Sequence, residues 1–143
     1  MTDTIAIAAD HGGFALKDQI KAAFPQITWL DLGTNSAESV DYPDFAKKVA
    51  DAMKDGKVTK GVLICGSGIG ISIAANRHAH IRCALVHDVT GARLCRQHND
   101  ANVLALGARM TGFEVAKDCV DVFLSAEFEG GRHQKRVDKL TNC

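Results

Sequence analysis

Three short runs in this chain are apolar without alternation: TIAIAA (4–9), GVLIC (61–65) and VLAL (103–106). A strand that is apolar at every position has no side to offer to water, so it lies in a sheet covered on both faces. Helical patterns separate the runs. Residues 14–24 place Phe14, Ile20, Ala23 and Phe24 on one face. Pro43 suits the first turn of a helix over 43–54, where its missing N–H costs nothing. Residues 112–125 carry Phe113, Val115, Ala116, Val120, Phe123 and Leu124 at helical spacing. Further strands are predicted at 27–32 and 82–87. Further helices are predicted from the glycine loop to about Arg77, over 90–96 and over 132–140. The alternation predicts an α/β fold, a single doubly wound, Rossmann-like domain over residues 1–143. It has a five-stranded parallel sheet, helices on both faces and an extra C-terminal helix. That last helix has few apolar residues to dock it at home and is free to reach a neighbouring subunit.

Charge and cysteine usage narrow the partners. Seventeen Lys and Arg balance seventeen Asp and Glu, which argues against a nucleic-acid binder and leaves room for a local anion site. Cys65, Cys83, Cys95, Cys119 and Cys143 are odd in number and show no CxxC spacing. They read as reduced thiols, without a disulfide framework or a structural zinc site. No run approaches the ~18 apolar residues that would span a bilayer, and the first ten residues lack a basic leader pattern. The expected location is the cytoplasm, with no membrane partner.

In a doubly wound sheet, ligands bind beyond the carboxyl ends of the strands. Those ends carry Asp10-His11-Gly12-Gly13, Cys65-Gly66-Ser67-Gly68-Ile69-Gly70, His87-Asp88 and Gly107-Ala108-Arg109. The GSGIG loop opens a helix, so its N–H groups and the positive end of the helix dipole favour an anion. It lacks the first-strand position and later acidic residue of a dinucleotide fingerprint, and the Gly-Lys-Ser/Thr of a P-loop. A tight βα turn with glycines kept for packing is the plain alternative. Cys65 stands just ahead of that helix start, a place that favours the thiolate. A base beside an anion hole is what proton abstraction next to a carbonyl requires. Arg132 and Arg136 are four apart, hence on one helix face, and Arg109 ends a strand; arginine forks suit phosphate oxygens.

Taken together, Asp10-His11-Gly12-Gly13, Asp41-Tyr42-Pro43, ICGSGIGISIAANR, RQHNDAN (96–102), LGAR (106–109) and EGGRHQKRV (129–137) resemble ribose-5-phosphate isomerase B. That family also contains the galactose-6-phosphate isomerase subunits. The resemblance runs from residue 5 to about 138. It implies an aldose–ketose isomerase that interconverts ribose 5-phosphate and ribulose 5-phosphate without metal or cofactor. It assigns Cys65 as the base that moves a proton between C2 and C1 through a cis-enediolate. Gly66, Ser67, Gly68, Ile69 and Gly70 would form the anion hole, Ser67 adding a hydroxyl. His98 would open the furanose ring, with Asn99 on the sugar and Asp10 at the ring-opening hydroxyls. His11, Arg109, Arg132 and Arg136 would bind substrate and phosphate. One branch of the family carries a glutamate base where this chain has Ile71, a side chain that cannot take a proton. His78, His80, His87 and His133 receive no role.

The topology adds a geometric expectation. Cys65 ends a strand, whereas His98 follows a helix and precedes a strand. The two belong at opposite edges of the sheet, about a strand length (~17–20 Å) apart. His98 and Asn99 are therefore expected from a second subunit across a two-fold axis. The resemblance likewise implies a homodimer or a dimer of dimers. Three other readings stay open: an isomerase of a six-carbon substrate such as allose or galactose 6-phosphate, a non-catalytic sugar-phosphate or nucleotide sensor, and a thiol redox protein. The sensor would not need both Cys65 and His98, and the redox protein lacks a resolving cysteine near Cys65.

Overall fold

A computed structural model of the chain describes residues 3–143. The elements run β1 (Thr4–Ala9), α1 (Phe14–Ala23), β2 (Thr28–Asp31), α2 (Tyr42–Lys54), β3 (Gly61–Cys65) and α3 (Ile69–Asn76). They continue as β4 (Cys83–Leu85), α4 (Val89–Gln97), β5 (Val103–Gly107), α5 (Phe113–Ser125), a 3-10 turn (Gly131–His133) and α6 (Gln134–Leu140). The predicted α/β sandwich is what forms. All five strands are parallel, in the order β2-β1-β3-β5-β4.

That order determines where each helix lies. Parallel crossovers are right-handed, so the direction of travel across the sheet decides the face. The steps β2 to β3 and β3 to β4 run one way and put α2 and α3 on one face. The steps β1 to β2 and β4 to β5 run the other way and put α1 and α4 on the opposite face, where α5 joins them. Two cores follow. Ile5, Ile7, Val62, Ile64, Leu104 and Leu106 meet Leu16, Ile20, Ala92, Val120 and Phe123 on the α1/α4/α5 side. Ala6, Ala8, Leu63, Cys65, Val103 and Ala105 meet Phe45, Val49, Ile71 and Ala75 on the other. Both faces of β1, β3 and β5 are dry, as their unbroken apolar runs required.

Two elements differ from the sequence reading. β4 is shorter than 82–87 because Arg82 turns to Asp100, its Nε donating to the Asp100 carbonyl at 2.8 Å. At the other end the chain leaves the sheet for Asp88, which caps α4 by accepting the Gly91 N–H at 2.6 Å. The last helix begins as a 3-10 turn, after Gly130 and Gly131 both take positive φ. Only Val137 of α6 is buried, so the helix is held lightly.

Candidate active site

β1 and β3 are neighbours from which the chain winds outward in both directions. Their carboxyl ends therefore open a crevice at a topological switch point. The register sets Ala9 beside Ile64 and Cys65 beside Gly107, so the loops after β1, β3 and β5 emerge together. Asp10 donates its N–H to the Ile64 carbonyl, Ala108 to that of Cys65 and Arg109 to that of Gly66, at 2.9–3.2 Å. These bonds bind the three loops into one edge.

Cys65 is 4% exposed at the tip of β3. Its Sγ accepts the Gly68 N–H at 3.1 Å. Gly68 takes φ 79°, the left-handed turn that lets α3 start over the sulfur. The Ile69 N–H donates to Ser67 Oγ at 3.1 Å. With those two amides engaged, the described hydrogen bonds leave the N–H groups of Gly66, Ser67 and Gly70 as the loop's donors for an anion. Of the five consecutive residues the resemblance pointed to, Gly68 and Ile69 thus have amide partners within the loop itself. The sulfur has gained its own donor.

Asp10 is buried (7%), with Oδ1 accepting the Gly12 N–H at 2.9 Å. A Cβ on Gly12 would stand 3.3 Å from Gly66 N, which shows how closely the two loops approach. His11 is exposed; its Nδ1 accepts the Val40 N–H at 3.2 Å and ties the 33–42 loop to the crevice. The Arg109 side chain reaches back over Gly66, 3.3 Å from where a Cβ there would lie. Tyr42, to which the sequence assigned no role, packs its ring against the backbone of Gly70, leaving room there only for a glycine. One edge therefore collects Asp10, His11, Cys65 to Gly70 and Arg109.

His98, Asn99, Arg132 and Arg136 are elsewhere. They line a cleft of about 410 Å³ with His133, Val137 and Leu140. His98 caps the carboxyl end of α4. The register places Val103, the start of β5, beside Gly61, the start of β3, so this cleft lies at the amino edge of the sheet. Cys65 and His98 of one chain are separated by the length of β3, roughly 15 Å. The expected opposition of the two residues is what the strand register describes. The sequence grouped Arg109 with Arg132 and Arg136, but the fold puts the first at one edge and the other two at the opposite one.

Two residues, His133 in the cleft and Glu129 beside it, received no role from the sequence. His133 stacks on His98, ring centroids 4.5 Å apart and planes 12° apart, and Glu129 lies against both. The signals in the sequence were the place of His133 beside Arg132 and the presence of both residues in EGGRHQKRV, neither of which gave them a role. Among the described residues, His98, Glu129 and His133 are the one set of three donors within 4.8 Å of one another. In-plane lone pairs of near-parallel imidazoles do not converge on a single ion, so the stacked arrangement is a poor fit for a metal. Three of the other thiols are held protonated. Burial pushes Cys83 up to about 12 and Cys95 and Cys119 up to about 11, so they stay protonated and pack as small apolar groups. No described helix is long and apolar enough to cross a membrane.

The ribose/galactose isomerase family model matches residues 5–140. Ribose-5-phosphate isomerase B of Escherichia coli is 50% identical over 139 residues, 96% of this chain and 93% of that relative. D-erythrulose-4-phosphate isomerase of Pectobacterium atrosepticum is 43% identical over 140 residues, 96% of this chain and 92% of the relative. The crystal structure of a Thermotoga maritima ribose 5-phosphate isomerase matches with a TM-score of 0.97 at 47% identity, covering 100% of both chains. Matches of this extent define a sugar-phosphate isomerase. The chain belongs to the ribose/galactose isomerase family, as its motifs had implied.

Proposed function

We propose that this chain interconverts ribose 5-phosphate and ribulose 5-phosphate, in sites that each combine the Cys65 edge of one copy with the His98 cleft of another. The observation that carries the reading is the buried Cys65 sulfur, held by the Gly68 N–H within a loop of main-chain donors. The relatives named as isomerases of four- and five-carbon sugar phosphates support the substrate class.

Ring opening breaks the bond between C1 and the ring oxygen. The electron pair goes to that oxygen, which takes a proton from His98, while Asp10 accepts the proton of the C1 hydroxyl and the aldehyde forms. In the open chain, Cys65 as thiolate removes the proton on C2. The C–H electrons form the C1–C2 double bond, and the carbonyl pair moves to O1. The N–H groups of Gly66, Ser67 and Gly70 hold that charge. The O2 proton passes to O1, directly or through the Ser67 hydroxyl. Cys65 then returns its proton to C1 as the C2 carbonyl forms. Arg109, Arg132 and Arg136 hold the phosphate with His11, and Asn99 contacts the sugar.

Two features support a second copy. The chemistry needs Cys65 and His98 at one small sugar, and one chain holds them apart. In addition α3 leaves Ile69 and Ile73 on the surface, 51% and 61% exposed, beside the catalytic loop. A two-fold axis at α3 would cover both and supply the missing cleft twice over.

A coupled assay comparing ribose 5-phosphate with allose 6-phosphate and galactose 6-phosphate tests the reading, with Cys65→Ala as control. The five-carbon substrate is expected to show the highest kcat/KM. Cys65→Ala should lose about 10³-fold in kcat while still binding a phosphate ligand. A six-carbon preference would overturn the substrate assignment, and near-normal turnover by Cys65→Ala would overturn the base.

A further inference from the structure

We propose that His133 and Glu129 are positioning residues for His98: the His133 ring fixes the plane of the His98 ring, and the Glu129 carboxylate balances the proton that His98 passes to and from the sugar. This rests on the ring-opening role given to His98 above.

The geometry is specific. The two imidazoles lie face to face, 4.5 Å between centroids and 12° between planes. Glu129 Oε1 stands 3.8 Å from His98 Nε2 and 3.7 Å from His133 Nε2. The carboxylate is thus equidistant from the two rings and committed to neither. It is also held in register with them. The Glu129 N–H donates to the Gln97 carbonyl at 3.0 Å, and the His98 N–H donates to Leu94 at 2.9 Å. Arg96 Nε reaches the Ala126 carbonyl at 3.4 Å and fastens the same segment to the end of α4.

The charges around the stack decide which ring carries a proton. Arg132 and Arg136 approach from the last turn and helix. On the α4 side, Asp100 is engaged by Arg96 at 2.8 Å and Arg82 at 3.4 Å. Glu129 is therefore the carboxylate facing the histidine pair. Two imidazolium ions stacked at this distance would repel, which disfavours charging both rings at once. Burial, then the neighbouring charge of His98 and Arg132, lowers the pKa of His133. That shift favours the neutral form of His133, and His98 is the more exposed ring, with the Glu129 carboxylate beside its Nε2. A neutral ring behind and an anion beside it leave His98 able to give its proton to the ring oxygen and recover it.

The test is histidine-selective NMR titration of the full-length protein, with kcat and KM measured across pH. Glu129→Gln removes the anion and keeps the shape; the His98 midpoint should fall by roughly half to one pH unit, and kcat with it, at little cost in KM. His133→Phe keeps a flat ring and removes the competitor for Glu129, so the His98 midpoint should rise. His133→Ala should lower kcat several-fold more than His133→Phe, since only the latter keeps the stack. Unmoved His98 midpoints in both Glu129→Gln and His133→Phe would overturn the proposal. So would losses confined to KM, which would make these residues substrate ligands. The titration needs no turnover, so a failure of the isomerase reading leaves this result standing on its own.

Discussion

Gly68 is both the amide that donates to Cys65 and the point where the loop turns back over the strand. The two roles share one backbone conformation, φ 79° at 3.1 Å from the sulfur. No side chain fits there. A Cβ would lie 2.6 Å from Leu85 Cδ1 and 2.8 Å from the carbonyl carbon of Leu106. Gly68→Ala is therefore expected to cost roughly 3 kcal/mol, from left-handed strain and overpacking combined. Denaturant unfolding measures that cost. Activity should fall further than folded fraction does, because the clash shifts the loop and moves the backbone N–H of residue 68 away from the sulfur; wild-type activity in the folded variant would refute the link.

A buried ion pair anchors the other side of the crevice. Lys17, wholly buried within α1, donates to Asp31 at 2.7 Å and to Asn35 at 2.9 Å, and Lys21 reaches the same Asp31 oxygen. Burial alone would raise the Asp31 carboxyl. Hydrogen bonds from Lys17, Lys21 and the Gly33 N–H outweigh it and hold the group below the usual carboxylate range. The unfolded chain therefore binds this proton more readily than the folded one. The stabilisation is complete above the unfolded value of about 4 and is lost as pH falls through the lower folded value. Asp31→Asn should cost roughly 3 kcal/mol at neutral pH by leaving Lys17 poorly partnered. It should also flatten the dependence of stability on pH below about 4. Urea titrations at pH 7, 4 and 3 read both effects, and a variant whose acid profile matched the parent would refute this account.

The same lysine shows where sequence reasoning ran short. The apolar spacing of 14–24 identified the helix but says nothing of Lys17, whose burial is explained only by its pairing with Asp31 at the end of β2. Strands β1, β3 and β5 were readable because no position in them tolerates water. Their lateral order was not, since β5 inserts between β3 and β4 and a crossover of either sense has the same sequence pattern. The turn after Cys65 was legible as a strand-to-helix connection, because its glycines admit the positive φ that Gly68 adopts there. The His98 cleft could be read only in part. Its arginines were visible, while Glu129 and His133 gain significance only through a stack that no spacing encodes.

The central claim is that catalysis needs Cys65 of one chain and His98 of another. Cys65→Ala and His98→Asn chains should each be inactive alone. Unfolded, mixed in equal amounts and refolded together, they should regain about a quarter of wild-type activity, because half of the dimers are mixed and each mixed dimer holds one intact site of its two. Mixed dimers that form, by mass, yet stay as inactive as their parents would contradict the shared site.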